Sequence, residues 1–224
     1  MQQSSMEFPA VRPFSLSIRH VKMQEAAEQN VRQHHLHSEC EIYINLSGDV
    51  SFMVDENIYP IRPGDAILTR PYEYHHCIYH SDAPHEHFWI LFSAEGNEAL
   101  FPLFFCRERG EGNRIVLPRE EQTRMFGHCR ALLAGEGGLL ARYQHFFALL
   151  SLLRTGTAAE EESAQVPEEL RRVLEYINAN YAGPIAVGAL AEMAFVSRNT
   201  LERRFQQYLG VSPYAYITEK RLTC

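Results

Sequence analysis

The chain has 224 residues, of which 46% are hydrophobic and 22% are charged, as expected for a soluble protein of one or two globular domains. It contains no apolar run near the roughly 18 residues that span a bilayer, no signal-peptide pattern at the N-terminus, and five cysteines without a CxxC pair, which favours a reducing cytoplasm. The net charge of -7 argues against nucleic-acid binding by the whole surface, but residues 167–224 carry seven bases and six acids, so the acidic excess lies upstream.

Residues 14–92 have the pattern of an all-β unit. Short apolar or alternating runs (EIYINL, VSFMVD, DAILTR, HHCIYH and HFWILF) are separated by turn signals such as SGD and RPGD. No alternation of strands with helices accompanies them, so the sequence predicts a β-barrel or sandwich. Eight of the eleven histidines also fall between His34 and His87, and the stretch HHLHSECE begins at His34. This clustering raises the question of a metal site.

After Pro118 the periodicity becomes helical. Helices are predicted over residues 120–133 and 139–153, and the glycine-rich segment 135–138 breaks them. The second helix carries a wide apolar stripe, made by Leu139, Tyr143, Phe146, Phe147, Leu150 and Leu153. That stripe predicts packing against the β unit, a dimer seam, or both on different faces. Small, polar and acidic residues over 155–166 then predict a linker.

The last segment has the pattern of a helix-turn-helix. After a helix over residues 167–181, a short helix over 187–194 leads into a tight turn, and Ser197 is a good N-cap for a second helix over 198–208. The outward face of that second helix is predicted to contact DNA through Ser197, Arg198, Asn199, Thr200, Arg203, Arg204 and Gln207. Taken alone, the same pattern also fits an ordinary surface helix with solvated arginines.

This segment resembles the first helix-turn-helix of AraC-family transcription regulators. The matching positions are Leu190-Ala191, Ser197, Leu201, Arg203, Phe205, Gly210, Ser212-Pro213 and Tyr216. The resemblance implies a cytoplasmic homodimeric regulator, such as an activator, that binds operator or promoter DNA and a small-molecule effector. The family has two such units joined by a long helix, and the sequence ends at Cys224, where that helix would begin. Because one unit makes fewer phosphate contacts, we expect this chain to bind DNA weakly or not detectably.

The N-terminal region resembles a cupin, the small β-barrel that AraC-family members use as a sensor. The first cupin motif, H-x-H-x3-E-x6-G, matches His35, His37, Glu41 and Gly48, although Gln29 stands where the leading glycine would be. The second motif is degraded and keeps only its histidine, His75, with His76 as an out-of-register competitor. The cupin resemblance therefore implies a barrel with an incomplete metal signature.

The chemistry of that signature is coherent. Residues i and i+2 of a strand share a face, so His35 and His37 are expected to point into the barrel together with Glu41. With His75 they would form a set of three imidazoles and one carboxylate, suited to Zn, Ni, Mn or Fe. Three interpretations stay open: a bound metal, a small-molecule pocket that uses the same side chains, or a satisfied polar core.

A small-molecule pocket would have mixed aromatic and polar walls. The candidates for ligand contact are His35, His37, Glu41, Tyr43, His75 and Trp89, and Glu73 and Tyr74 are further wall candidates. Such walls suit a sugar, whose C–H faces stack on rings while its hydroxyls take hydrogen bonds. His80, His85 and His87 are expected mostly at the surface, with His87 as the one that could face inward.

These patterns predict an α+β protein. A cupin-like sensor covers residues 1–117, a helical packing or dimerisation segment covers 118–154, a linker covers 155–166, and a partial DNA-binding domain covers 167–224. We predict a non-enzymatic AraC-family regulator that senses a small molecule, by preference a carbohydrate. The alternatives are a cupin metalloenzyme, such as an isomerase or dioxygenase, and a truncated sensor that acts as a dominant-negative partner in mixed dimers.

Overall fold

The computed structural model describes residues 11–25, 37–55, 57–158 and 167–223. The strands are β1 (Leu16–Met23), β2 (Cys40–Ser47), β3 (Val50–Val54), β4 (Asn57–Ile61), β5 (Ala66–Thr69), β6 (His75–Tyr79), β7 (His85–Phe92), β8 (Arg114–Val116) and β9 (Thr157–Ala158). The helices are α1 (Pro102–Phe105), α2 (Arg119–Ala134), α3 (Gly138–Thr155), α4 (Glu168–Asn180), α5 (Val187–Met193), α6 (Arg198–Leu209) and α7 (Pro213–Thr223). None of the helices within these ranges combines the length and the apolar character needed to cross a membrane.

The strands form two antiparallel sheets. The larger has the order β1-β7-β2-β5-β8-β9, and the smaller has the order β4-β3-β6. In the larger sheet Tyr43 pairs with Trp89, and in the smaller one Phe52 pairs with Cys77. The side chains of these four residues line one cavity, so the two sheets face each other across it. The predicted β unit is confirmed, and its alternating strands place every second side chain in that cavity.

The other face of the larger sheet packs against α2 and α3. Ile42, Ile90 and Phe92 of the sheet share one apolar core with Phe146 and Leu149 of α3. The predicted packing of the α3 stripe against the β unit is thereby confirmed for its central and C-terminal part. Leu139, the first residue of the stripe, is instead 67% exposed, so the stripe is not buried at the N-terminal end of α3.

One predicted boundary was wrong. Thr157 and Ala158, placed in the linker from the sequence, form β9 and pair with Val116 and Ile115 of β8 at the edge of the larger sheet. Polar composition indicated a linker, but a two-residue edge strand needs only backbone hydrogen bonds, which composition does not report. Thr155, also in the predicted linker, is the last residue of α3, and Gly156 follows it. Residues 159–166 of the predicted linker lie outside the described residues.

The C-terminal helices dock on the outer face of the smaller sheet. Their buried side chains, which include Leu174, Leu190 and Phe205, form one apolar core with Tyr74 and Ile78 at and beside β6. Met53 of β3 and Ile58 of β4 belong to the same core. The smaller sheet therefore has the cavity on one face and the helical module on the other.

Candidate functional site

The cavity between the sheets has a volume of about 190 Å³. Its walls are Val21, Met23, Glu41, Tyr43, Phe52, Cys77, Tyr79, His87 and Trp89. Three predicted ligand-contacting residues, Glu41, Tyr43 and Trp89, are among them. The side chains combine rings with a few polar groups, a mixture typical of small-molecule sites. Outside this lining, the guanidinium of Arg19 lies 5.2 Å from the centroid of the Trp89 ring.

Glu41 joins the cavity to two of the predicted histidines. Its Oε2 atom lies 3.1 Å from His37 Nε2 and 3.1 Å from His75 Nε2. The ligand atoms of the three residues all fall within 4.8 Å of one another, close enough to share a metal ion. His35, the fourth predicted ligand, lies outside the described residues. The ring of His76 on β6 lies 5.9 Å from that of Tyr74, the residue just before the strand.

The other ring nitrogens determine how these imidazoles are protonated. His37 Nδ1 donates to the Glu39 carbonyl oxygen at 3.1 Å, and His75 Nδ1 donates to the Glu73 carbonyl oxygen at 2.7 Å. Each Nδ1 must therefore carry a proton, since a carbonyl oxygen only accepts. In a neutral ring the Nε2 lone pair would then face the Glu41 carboxylate, which is repulsive unless a proton or a metal cation lies between them. In many protein metal sites, backbone carbonyls accept a hydrogen bond from the non-coordinating nitrogen of a histidine ligand and so orient its ring.

The ionisation of the pair follows the same geometry. Burial opposes charge on both groups, but the neighbouring His75 and the hydrogen bonds from His37, His75 and Trp89 hold the pKa of Glu41 well below its usual range. Burial likewise lowers the pKa of His75, and the Glu41 carboxylate outweighs it, so that this pKa is raised above its ordinary value. Beside them the buried Thr69, paired with Glu41 in the sheet, has a hydroxyl without a hydrogen-bond partner among the described residues. The cluster thus offers a carboxylate, two imidazoles and a hydroxyl.

A second polar cluster was missed by the sequence analysis. Tyr43 Oη lies 2.6 Å from His85 Nε2, and His87 Nδ1 lies 3.0 Å from the same atom. His85 is 1% exposed, so its predicted surface position was wrong, whereas the exposed position of His80 is confirmed. The signal was present, because His85, His87 and Trp89 alternate along β7 and therefore share one face. We call Tyr43, His85 and His87 the neutral polar cluster.

Two further wall candidates do not reach the cavity. Tyr74 faces the C-terminal helices, where its ring lies 5.7 Å from that of Tyr216. Glu73 is fully buried in an ion pair with Arg107, at 2.6 Å between Oε2 and Nη2. The partners of both residues come from distant parts of the chain, which local patterns do not reveal.

The helix-turn-helix has the predicted local geometry. Ser197 Oγ accepts a hydrogen bond from the Thr200 backbone N–H at 3.1 Å and so caps α6, while Phe195 in the turn has a φ of 54°. Of the residues predicted to contact DNA, Ser197, Arg198, Asn199, Arg203 and Gln207 are exposed, and Thr200 and Arg204 are half-buried. Arg204 forms an ion pair with Glu169 of α4, which draws its guanidinium away from the exposed face of the helix.

Comparison with known proteins gives a family match for each of the two parts of the chain. Residues 23–172 match the AraC-like ligand binding domain, and residues 177–218 match the bacterial regulatory helix-turn-helix proteins of the AraC family. The arabinose operon regulatory protein of Salmonella typhimurium is 28% identical over 172 residues, which are 72% of this chain and 59% of that protein. This chain thus spans less than two thirds of that relative.

Other similar proteins have comparable coverage. An uncharacterized HTH-type transcriptional regulator of Bacillus subtilis, YbfI, is 24% identical over 84% of this chain and 70% of its own length. Among solved structures, the AraC-like transcriptional activator CuxR aligns with 94% of this chain and 72% of its own, at 15% identity and a TM-score of 0.37.

Proposed function

Because the chain belongs to the AraC family of transcription regulators, we propose that it binds promoter or operator DNA and that a small molecule in its barrel controls this binding. The observation that carries the proposal is the smaller sheet, which has the cavity on one face and the helix-turn-helix module on the other. The proposal therefore assigns effector binding to one side of this sheet and DNA binding to the module on its other side. The proposed location is the cytoplasm.

DNA binding would use the exposed face of α6. Arg203 and Asn199 can form bidentate hydrogen bonds with base edges, and Arg198, held by Glu202 at 3.2 Å, is placed to contact phosphate. The Ser197 cap and the buried Leu201 and Phe205 fix the orientation of the helix, so these side chains extend from a rigid surface. Arg204 is better placed to hold α6 against α4 than to contact DNA.

The first prediction distinguishes the roles of Arg203 and Arg204 in DNA binding. Arg203→Ala is expected to weaken DNA binding by about 1–3 kcal/mol, whereas Arg204→Ala should weaken it less. The measurement is fluorescence anisotropy against DNA from upstream of the protein's own gene, at several low salt concentrations, where phosphate contacts are strongest. A salt slope reduced by about 1 would assign Arg203 to a phosphate, and relaxed sequence preference would assign it to a base. A larger loss in Arg204→Ala than in Arg203→Ala would contradict this placement.

Control by the small molecule would act through the shared sheet. On β3, Phe52 lines the cavity and Met53 packs in the helical core; on β6, Cys77 lines the cavity and Ile78 packs in that core. Packed interiors transmit displacements because they contain little free volume. A ligand that favours one position of these strands would therefore favour one arrangement of the helical module relative to the barrel. The position of α6 would change with that arrangement.

The effector class that the pocket supports best is a carbohydrate or a similar polyol. Trp89, Tyr43 and Phe52 offer ring faces, and Glu41 offers a charged acceptor for hydroxyl groups. A homodimer is also part of the proposal, because three large apolar side chains near the α2–α3 turn are exposed: Leu133 of α2, and Leu139 and Leu140 of α3. Sedimentation of the purified chain measures that assembly directly.

A metal-binding function is the second candidate, and the convergence of His37 Nε2 and His75 Nε2 on Glu41 supports it. These three residues would hold Zn²⁺ or Ni²⁺, and the ion would supply a Lewis acid for a ligand oxygen in the cavity. The metalloenzyme alternative rests on the same set, and turnover by metal-loaded protein would be its evidence.

The second prediction tests this set without an activity assay. At a metal concentration about 100 times the dissociation constant, Zn²⁺ or Ni²⁺ should stabilise the metal-free protein by about 2.7 kcal/mol. The melting temperature should rise accordingly in the wild type and hardly at all in Glu41→Gln. Glu39→Gln is the matched control, since Glu39 is nearby and outside the three-residue set. An equal rise in both variants would show that the metal binds elsewhere.

A further inference from the structure

The turn between α5 and α6 carries the most exposed large apolar side chain in the described part of the chain. Phe195 is 85% exposed, so its ring gains almost no stabilisation from burial. Its neighbours are held firmly, because the backbone N–H groups of Ala194 and Val196 donate at 3.0 Å to the carbonyl oxygens of Leu190 and Ala191 in α5. Ala194 is also buried, and Val196 packs against the helical core. The fixed backbone on both sides therefore keeps the ring in solvent.

The backbone conformation of Phe195 is one that its side chain disfavours. Its φ of 54° lies in the left-handed region, which glycine adopts freely and which is uncommon for a bulky residue. Stability alone would favour glycine at this position, because glycine would relieve the strain and remove an exposed ring. Strained residues of this kind are concentrated at functional sites. Exposure and strain together indicate a side chain that serves to contact another molecule.

The position of the ring favours DNA as that molecule. Phe195 stands two residues before Ser197, the N-cap of α6, and the exposed residues Ser197, Arg198 and Asn199 follow it. In a helix-turn-helix the first residues of the second helix contact base edges in the major groove. A ring at this end of the helix would lie beside the same base pairs. The thymine methyl group is the apolar feature that the major groove presents, and phenylalanine is among the side chains that contact it.

We propose that Phe195 is a specificity-determining residue for DNA, and that its ring packs against the C5-methyl group of a thymine beside the bases that α6 reads. The polar side chains of α6 would recognise hydrogen-bond donors and acceptors. Phe195 would add a preference for thymine over cytosine and over uracil, which both lack the methyl group. The inference rests on the proposed function, because it requires that the exposed face of α6 binds DNA.

The test compares two forms of one DNA fragment. The fragment from upstream of the protein's own gene is amplified with thymidine triphosphate or with deoxyuridine triphosphate, so that the two duplexes differ only in the thymine methyl groups. Fluorescence anisotropy at low salt gives the affinities of the wild type, Phe195→Gly and Phe195→Ala for each duplex. One buried methyl group should contribute about fourfold to the ratio of the two affinities in the wild type. Both variants should lose that contribution.

The glycine variant distinguishes a DNA contact from a role in folding. Because glycine relieves the strained φ, Phe195→Gly should melt at or above the temperature of the wild type while it binds the thymine duplex more weakly. Tyr72→Gly is the matched control, since Tyr72 is also an exposed aromatic residue with a positive φ, of 59°, but lies in the barrel. It should keep the wild-type affinities for both duplexes.

Each contrary result has a definite meaning. An affinity ratio in Phe195→Gly equal to that of the wild type would overturn the inference and leave the ring to a protein partner, while the proposed DNA binding stands. A fall of the same size in Tyr72→Gly, or a melting temperature of Phe195→Gly several degrees below that of the wild type, would overturn it as well. If the wild type binds neither duplex at low salt, the inference fails together with the proposed function.

Discussion

Replacing Arg107 by alanine is expected to lower the free energy of unfolding by about 3–5 kcal/mol, the usual cost of leaving a buried charge without its partner. Arg107 Nη1 and Nη2 lie 2.8 Å and 2.6 Å from the two carboxylate oxygens of Glu73, which is 0% exposed. The guanidinium also donates to the Leu68 carbonyl oxygen at 3.1 Å. The ion pair joins the segment after α1, which contains Arg107, to the turn before β6, which contains Glu73.

The carboxylate would not be left bare in the variant. The backbone N–H groups of Gly110 and Arg70 donate to it at 2.8 and 2.9 Å, and the Arg70 guanidinium lies 3.7 Å away. These contacts favour a loss of unfolding free energy near the lower end of the expected range of about 3–5 kcal/mol. Urea unfolding measures the loss, and Arg109→Ala is the control, because the side chain of Arg109 is half-exposed and its pair with Asp55 should contribute less than about 1 kcal/mol. Equal losses in the two variants would contradict the prediction.

The same pair predicts a pH dependence. Burial raises the pKa of Glu73, but the hydrogen bonds and charge of Arg107 outweigh it and hold the pKa below its ordinary value. A depressed carboxyl pKa contributes stability that is present above the unfolded-state pKa and is lost as the pH falls through the folded-state pKa. The difference in stability between wild type and Arg107→Ala should therefore shrink as the solution is acidified. A difference that grows in acid would assign the stabilisation to another group.

Local periodicity predicted what depends on neighbouring residues in the sequence. The strands of the β unit, the helices α2 to α6 and the Ser197 cap all follow from spacing and turn residues within a few positions. The cluster of His37, Glu41 and His75 was predicted from the resemblance to the two cupin motifs, not from periodicity. Sequence spacing alone did not show that Glu73 pairs with Arg107, 34 positions away, or that Tyr74 meets Tyr216. In each case the partner decides which face a side chain takes.

The histidines of β7 show a different limit. Their alternation was visible, but the polar character of His85 favoured a surface position. The structure buries it because Gly48 allows the Ser47 carbonyl to reach its ring and Tyr43 satisfies the other nitrogen. Burial of a polar residue is decided by whether its hydrogen bonds are satisfied, and these partners lie on another strand.

Tyr74→Ala is expected to loosen the helical module from the barrel. The Tyr74 side chain is 1% exposed, its ring lies 5.7 Å from that of Tyr216, and Lys220 Nζ lies 4.2 Å from its centroid. Truncating a buried aromatic ring costs about 3–5 kcal/mol, and here much of that loss falls on the interface between the two modules. Tyr72→Ala is the matched control, since Tyr72 stands two residues away and is 60% exposed.

The expected result in differential scanning calorimetry is a change in cooperativity. The wild type and Tyr72→Ala should unfold as one unit, and Tyr74→Ala should show separate transitions for barrel and helices, because each keeps its own buried residues once the interface is lost. Tyr74→Phe keeps the ring and should unfold like the wild type. A single transition in Tyr74→Ala with the stability of the control would mean that the interface contributes little. Separate transitions, with DNA binding retained and its response to a cavity ligand lost, would identify the smaller sheet as the connection between effector and DNA.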